Sequence, residues 1–312
     1  MLAELQANIK TIHARIDDTS WDAFTNPDSE LAWYVLVGPK LFLFLTIFVF
    51  PFFFAIWMSI HEWHMLAAEH QFLGLDNYTR MLVDSRFIDS FVNTVIYTLG
   101  LTLSVPIALF LAILINKNIR GSAFYSAAIF VPVVISWVVV SLIWMWIYNP
   151  DIGMLNALLE AVGLPTSQWT RGVRTALPSL IIIGIWKTVG FNLVIFLAGL
   201  RGLPESYYEA ATVAGANSWQ KFRYITMPLL KPTTFFVVLV VLITAFREFT
   251  PMFVITDGGP VTATHTIVYY FYIVGFERGQ MGYASAMAVV LLIVVFVISI
   301  IQQRTWGQDV DY

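Results

Sequence analysis

The sequence predicts an all-α membrane protein with six transmembrane helices. Three observations predict it. Of 312 residues, 58% are hydrophobic and 12% charged, about half the charge of a soluble domain. The mean hydropathy is +0.75. Six apolar stretches reach the roughly 20 residues that cross a bilayer as a helix. They cover about 36–58, 91–115, 124–147, 176–200, 233–256 and 283–301. Aromatics at 16%, with 11 tryptophans, suit two lipid–water interfaces. A net charge of −3 suggests no nucleic-acid partner. The absence of cysteine excludes disulfide scaffolds, thiol catalysis and thiolate metal sites.

The elements follow in order. The first 30 residues mix Glu4, Lys10, Arg15, Asp17 and Asp18 without an apolar core. They do not read as a cleavable signal peptide, so the first span serves as the insertion signal. Beyond that span, His61, His64 and His70 occur in "HEWHMLAAEH". His61 and His64 share one face if the helix continues, as metal ligands might. The string is not HExxH and interfacial histidines need no metal, so no metal site is assigned. Pro51, Pro106 and Pro132 fall inside spans, where they read as packing kinks. The run "TIVYYFYIVGF" (266–276) is too short to cross and reads as a short or reentrant helix at the outer surface. With the N-terminus inside, the inner segments hold Lys10, Arg15, Lys117, Arg120, Arg201, Lys221, Arg223, Lys231 and Arg304. The outer ones hold Arg80, Arg86, Arg171, Arg174 and Arg278. That bias puts both termini in the cytoplasm. Lys40 lies in the first turns of span one and can snorkel inward. The organisation expected is a cytoplasmic segment 1–32, a membrane domain 33–304 and a cytoplasmic tail 305–312.

The longest inner loop holds "YYEAATVAGANSWQKFRYITMPLLKP" (207–232). Pro204 suits the first position of a helix of about three turns. Gly215 can end that helix in a left-handed conformation, and Ser218 can cap a second one. Trp219, Phe222 and Ile225 give the second helix an apolar edge. Pro228 ends it and Pro232 launches the next span. Ala214, Gly215 and Ala216 make a turn small enough for a partner surface to approach the backbone. Read physically, the loop is either an interfacial amphipathic connector or a docking element.

The same residues resemble the hallmark of the permease subunits of bacterial binding-protein-dependent ABC importers, the cytoplasmic "EAA" loop. Glu209-Ala210-Ala211, Gly215-Ala216, Phe222, Ile225 and Pro228 fall in register with it. Two positions depart from the pattern. Ala214 stands where an Asp usually precedes the Gly, removing one usual polar contact, and Met227 replaces a Leu. Further stretches resemble the carbohydrate-type branch: "FLGLDNYTRML" followed by "FVNTVIYT", "WKTVGFNLVIFLAGLRGLPESYYEAA", "FREFTPMFVITDGGPVTAT" and "GYASAMAVVLL". The DGGP run resembles the first of two paired, dissimilar permeases. The likeness covers about residues 31–304. It implies six transmembrane helices with an EAA-type cytoplasmic coupling loop. It also implies a second permease subunit, two ATPase subunits that carry ATP and Mg, and an extracytoplasmic solute-binding protein. Within the loop it implies ATPase coupling through Glu209, Ala210, Ala211, Ala214, Gly215, Ala216, Trp219 and Phe222. The location implied is the cytoplasmic (inner) membrane.

No GxxxxGK[ST] occurs, so this chain has no phosphate-cradling loop of that type and no cofactor is assigned to it. Lys187, Arg247 and Glu248 fall within predicted spans, where charges are costly and face a cavity or each other. With Trp186, Thr188 and Asn192 they could line a sugar path, since hydroxyls need hydrogen bonds and sugar faces stack on rings. The reading favoured is nevertheless structural, an ion pair or an inter-subunit contact, with Lys187 and Glu248 at similar depth and able to pair. The function expected is ATP-driven import of a sugar or sugar-like solute by alternating access. The rival is a stand-alone ion-coupled secondary transporter. A membrane enzyme is disfavoured, because no paired carboxylates or nucleophile–base set appears at the inner face.

Overall fold

A computed structural model describes residues 30–66, 69–116 and 120–306, with side chains from Val37 to Thr305. Most of the expected N-terminal segment, with Lys10 and Arg15, lies outside these residues, as do Lys117 and the tail beyond Trp306. The chain forms two compact units, 1–57 and 58–312. Helix α1 starts as Glu30–Phe44, passes through a π-helical turn at Leu45–Val49 and continues as Phe50–Ser59. The wide turn sits just ahead of Pro51, where a missing N–H and a ring clash would otherwise break the ladder. In the first unit, Phe44 stacks on Phe48 and Phe50 on Phe54, each pair one helical turn apart.

The second unit opens with a hairpin, β1 (His61–Glu62) against β2 (Gln71–Phe72). The helical face expected for His61 and His64 is therefore not formed. His64 instead lies 3.5 Å from Glu62, and the ring of His70 stacks on Trp63. Helix α2 (Asp76–Val83) follows, then α3 (Ser85–Asn116), long and apolar enough to cross a membrane. Helices α4 (Ser122–Val134) and α5 (Trp137–Ile147) are bent by 101° at their junction. The short α6 (Met154–Ala161) leads to α7 (Ala176–Arg201). Then come α8 (Glu205–Val213), α9 (Ser218–Leu229) and α10 (Lys231–Phe246), the last two bent by 66°. Helices α11 (Ile267–Glu277) and α12 (Met281–Trp306) complete the chain.

Among the described residues, four helices are long and apolar enough to cross a membrane, and the count reaches the expected six only if each of the bent pairs α4–α5 and α9–α10 is one span. Pro132 marks a break and not a mild kink. It stands two residues before the end of α4, and Ser136 restarts the chain by capping α5 through the N–H of Val139. The stretch expected as 233–256 also breaks. It stops at Phe246, turns through 247–249 and resumes as a π turn at Met252–Thr256. Pro251 has no N–H to give the carbonyl of Arg247 and its ring clashes there, so the helix does not run through 247–249 unbroken. The apolar run near 266–276 is a short helix, as expected.

Helix α7 is the centre of the second unit, packed against α3, α4 and α10. Its Leu180, Ile183, Leu193 and Phe196 meet Tyr97, Leu101, Ala108 and Ala112 of α3 and Val237 and Val241 of α10 in one buried core. At Gly190 the helix backbones nearly touch: a Cβ there would lie 2.3 Å from the carbonyl oxygen of Ile129 in α4. A second core joins Met81, Phe87, Tyr270, Val274, Tyr283 and Met287.

Candidate functional site

The loop after α7 is built from local hydrogen bonds. Gly215 has φ +78° and follows α8. Its N–H donates to the Thr212 carbonyl at 3.0 Å, and that of Ala216 to the Ala211 carbonyl at 2.9 Å. These are the two bonds of a Schellman ending, which uses up carbonyls a helix end leaves unpaired. Two residues later Asn217 and Gln220 form a capping box at 2.9 and 2.8 Å. Three details differ from expectation. The cap of α9 is Asn217, because Gln220 stands three residues after it and not after Ser218. Pro204 is the N-cap of α8, one position early. Pro228 lies within α9 and does not end it: the π turn Phe222–Thr226 absorbs the distortion, and the bend falls at Leu230.

The turn is therefore self-supporting and stands free. Among the described residues, a Cβ on Gly215 would meet nothing within 4 Å. Glu209 is exposed and makes no hydrogen bond or ion pair among the described residues. Lys221 ties the two helices, donating from Nζ to Thr212 Oγ1 at 2.7 Å, and Tyr208 bonds Thr226 at 2.9 Å. Ala211, Ala214, Gly215 and Ala216 line a shallow recess of about 360 Å³. Trp219 is 67% exposed and leans on Phe222 at 5.5 Å. A small-residue turn flanked by an exposed carboxylate and an exposed indole is suited to insertion into a groove.

The residues weighed for a path are scattered in role. Lys187 does not form an ion pair with Glu248, among the described residues. Its ammonium donates to the carbonyls of Pro132 at 2.9 Å and Ile135 at 2.6 Å, at the break between α4 and α5. It also lies 5.1 Å from the Trp137 ring. These carbonyls are free because α4 stops there, and a cation is the favoured partner of a helix C-terminus. With Thr188, Trp137 and Thr244, Lys187 lines a pocket of about 250 Å³. Glu248 is buried, accepts the Phe249 N–H at 3.3 Å and attracts Lys187 only at longer range. Asn192 is fully buried and pegs α7 to α3, donating to Ser104 Oγ at 3.0 Å. Arg247 is exposed and lines an apolar pocket beside α12. Trp186 is half-exposed and meets Trp144 edge to face.

Asp84 went unnoticed in the sequence. Its Oδ1 caps α3 through the N–H groups of Arg86 and Phe87, and its Oδ2 accepts the hydroxyls of Tyr270 and Tyr283, both at 2.8 Å. Burial raises the carboxyl's pKa, but the four hydrogen bonds outweigh it and leave it below the ordinary value. A lone Asp before "SRF" did signal an N-cap. Its tyrosine partners lie almost 200 residues away, so nothing local pointed to them.

A family model described as the binding-protein-dependent transport system inner membrane component matches residues 84–305. The chain belongs to this family. It is accordingly a permease subunit of an ABC importer, with the all-α membrane fold expected. The chain is similar to the "Probable ABC transporter permease protein YesP" of Bacillus subtilis (strain 168), 37% identical over 91% of this chain and 93% of that one. It is also similar to the sn-glycerol-3-phosphate transport system permease protein UgpA of Escherichia coli (strain UTI89 / UPEC), 31% identical over 89% and 95% of the two chains. A bacterial alginate ABC transporter, in complex with alginate pentasaccharide-bound periplasmic protein, shares the permease's fold. The TM-score is 0.77, with 23% identity over 91% of this chain and 96% of that one.

Proposed function

We propose that this permease moves a sugar or sugar-like solute inward across the cytoplasmic membrane by alternating access. Hydrolysis of ATP with Mg takes place on two separate ATPase subunits, a second permease completes the pathway, and an extracytoplasmic binding protein delivers the solute. The observation that carries this reading is the free-standing Schellman turn at Gly215, presented with an unpartnered Glu209. Through Glu209, Ala210, Ala211, Ala214, Gly215, Ala216, Trp219 and Phe222 the loop docks in the ATPase. Both termini, the segment 1–32 and the tail 305–312 are then cytoplasmic, and 33–304 is the transport domain. The sugar-like class is supported by the relatives, one a glycerol-3-phosphate permease and one from an alginate transporter. Of the residues weighed for the path, Lys187 and Thr188 share a pocket, and Trp137 adds a ring to it. Trp186, Asn192, Arg247 and Glu248, weighed with them, do not line this pocket among the described residues.

The test is uptake by the reconstituted complex in sealed vesicles. ATP without an ion gradient should drive it. Uptake driven by a gradient without ATP would instead establish the stand-alone secondary transporter.

A further inference from the structure

A second polar recess lies at the far end of α7 from the Gly215 loop. Helix α7 has 26 residues, so at 1.5 Å per residue the two lie about 39 Å apart. The recess holds about 490 Å³, between the end of α5, the segment around Thr170 and Arg171, and the DGGP loop. That is within the range of small-molecule pockets, roughly 300–1,000 Å³.

Its walls are held by an unusual density of polar bonds. Asn156 of α6 spends its whole amide on them. Nδ2 donates to the carbonyls of Pro150 at 2.9 Å and Ser167 at 3.0 Å, and Oδ1 accepts the Ser167 N–H at 3.1 Å and the Trp169 indole at 2.7 Å. On the other side Thr264 donates to the Gly259 carbonyl at 3.0 Å and bonds Thr256 at 2.7 Å, while Tyr269 donates to Asp257 at 2.9 Å. Trp169, Asp257 and Val261 take left-handed backbone angles of 43°, 47° and 60°. Non-glycine residues hold such angles only where surrounding structure over-determines them.

Part of the lining is engaged, Asn149 Oδ1 accepting the N–H groups of Asp151 and Ile152 and Thr256 bonding Met252 and Thr264, but several donors are left unused. Asn149 Nδ2 and the Thr170 hydroxyl make no hydrogen bond among the described residues. Arg171 uses one guanidinium nitrogen, on Asp151 at 3.2 Å. Trp146 is 75% exposed and has no ring partner among those residues. A rigid recess with convergent free donors and an open indole face matches a carbohydrate ring. Sugar oxygens accept the hydrogen bonds, and the C–H face of the ring stacks on the indole.

We infer that this recess is a carbohydrate-binding subsite at the outer mouth of the permease, with Trp146 as platform and Asn149, Thr170 and Arg171 as donors. It is the first station of the solute on this chain. The inference rests on the importer reading only for its place outside the membrane.

The test uses the whole transporter in nanodiscs and saturation-transfer NMR with glucose, galactose and glucuronate as probes. At least one probe gives a signal on the wild-type complex. Trp146→Ala and, separately, Arg171→Gln weaken its binding about tenfold, the loss expected for a central aromatic or arginine contact. Val162→Ser, exposed and outside the recess, does not. A stronger signal for glucuronate than for glucose shows that Arg171 reads a carboxylate, and equal signals show that it reads a diol. The inference is overturned if no probe binds the wild type, or if binding is unchanged in both Trp146→Ala and Arg171→Gln. ATP-driven uptake by the wild type is measured in parallel. If it persists without binding in the recess, this assignment fails alone and the importer reading stands.

Discussion

Replacing Lys187 by Met removes the one ammonium that satisfies the carbonyls of Pro132 and Ile135 at the 101° elbow between α4 and α5. A hydrogen bond to a charged group is worth about 1.5–3 kcal/mol, and a buried carbonyl stripped of its partner costs about 1–3 kcal/mol. Lys187 is only partly buried, so water recovers part of that loss. The elbow should therefore lose about 1–3 kcal/mol. At about 1.4 kcal/mol per factor of ten, the bent arrangement gives up roughly 5- to 150-fold of its advantage over alternatives. The chain has no cysteine, so spin labels can be placed cleanly. One goes on α4 at Phe124→Cys and one on α5 at Leu142→Cys, both exposed positions. Their distance distribution in the reconstituted complex should be narrow in the wild type and broad with Lys187→Met, and Lys187→Arg should restore most of the narrowing. Solute-stimulated ATP hydrolysis should fall with Lys187→Met at normal complex yield. Adding Glu248→Gln should not rescue it, because the ammonium is engaged by carbonyls and not by that carboxylate. An unchanged distribution with Lys187→Met would refute the reasoning, and rescue by Glu248→Gln would restore the direct ion pair.

Among the described residues a Cβ at Gly215 meets nothing within 4 Å, so the main cost of Gly215→Val is the left-handed backbone, about 1–2 kcal/mol. It should leave the permease inserted and lower ATPase co-purification and solute-stimulated hydrolysis, with Glu209→Ala milder. Full stimulation with Gly215→Val returns the loop to an interfacial connector. Tyr270→Phe and Tyr283→Phe should each lower the thermal midpoint by removing a donor to Asp84, and Asp84→Asn should cost more than either. Because the folded carboxyl sits below its ordinary value, its contribution is complete above about pH 4 and is lost only as pH falls through the lower folded value. A midpoint that declines between pH 8 and pH 5 (about one unit above the ordinary carboxylate) in the wild type but not in Asp84→Asn would contradict this. For orientation, Val162→Cys should react with an impermeant reagent added outside and Val213→Cys should not, both being exposed. The reverse labelling inverts the topology.

What the sequence made legible, and what it did not, follows from how local each cause is. The Gly215 turn was readable because helix endings are decided within a few residues. Its neighbours were less so. Ser218 and Asn217 are two good caps side by side, where Gln220 three residues beyond Asn217 settles the matter. Pro204 falls one position before the place a local rule gives it, and Pro228 lies within α9 instead of ending it. Apolar length was readable too, but length is not continuity. The stretch 124–147 is apolar throughout, yet Pro132 and Ser136 together spell a stop and a restart. Arg247-Glu248 ahead of Thr250-Pro251 spells another. Both signals are present, and an apolar window averages over them. The partners of Lys187 are a different case. They are backbone carbonyls 52 and 55 residues away, and a carbonyl has no residue-type signature. No reading of side chains could have chosen them over Glu248, which offers the chemically obvious partner. The break itself creates the acceptors, since a continuous helix would have used those carbonyls internally. The charge in α7 and the bend in its neighbour therefore form one feature: a lysine in this span is tolerable because the adjacent span is broken, and the break is tolerable because the lysine is there.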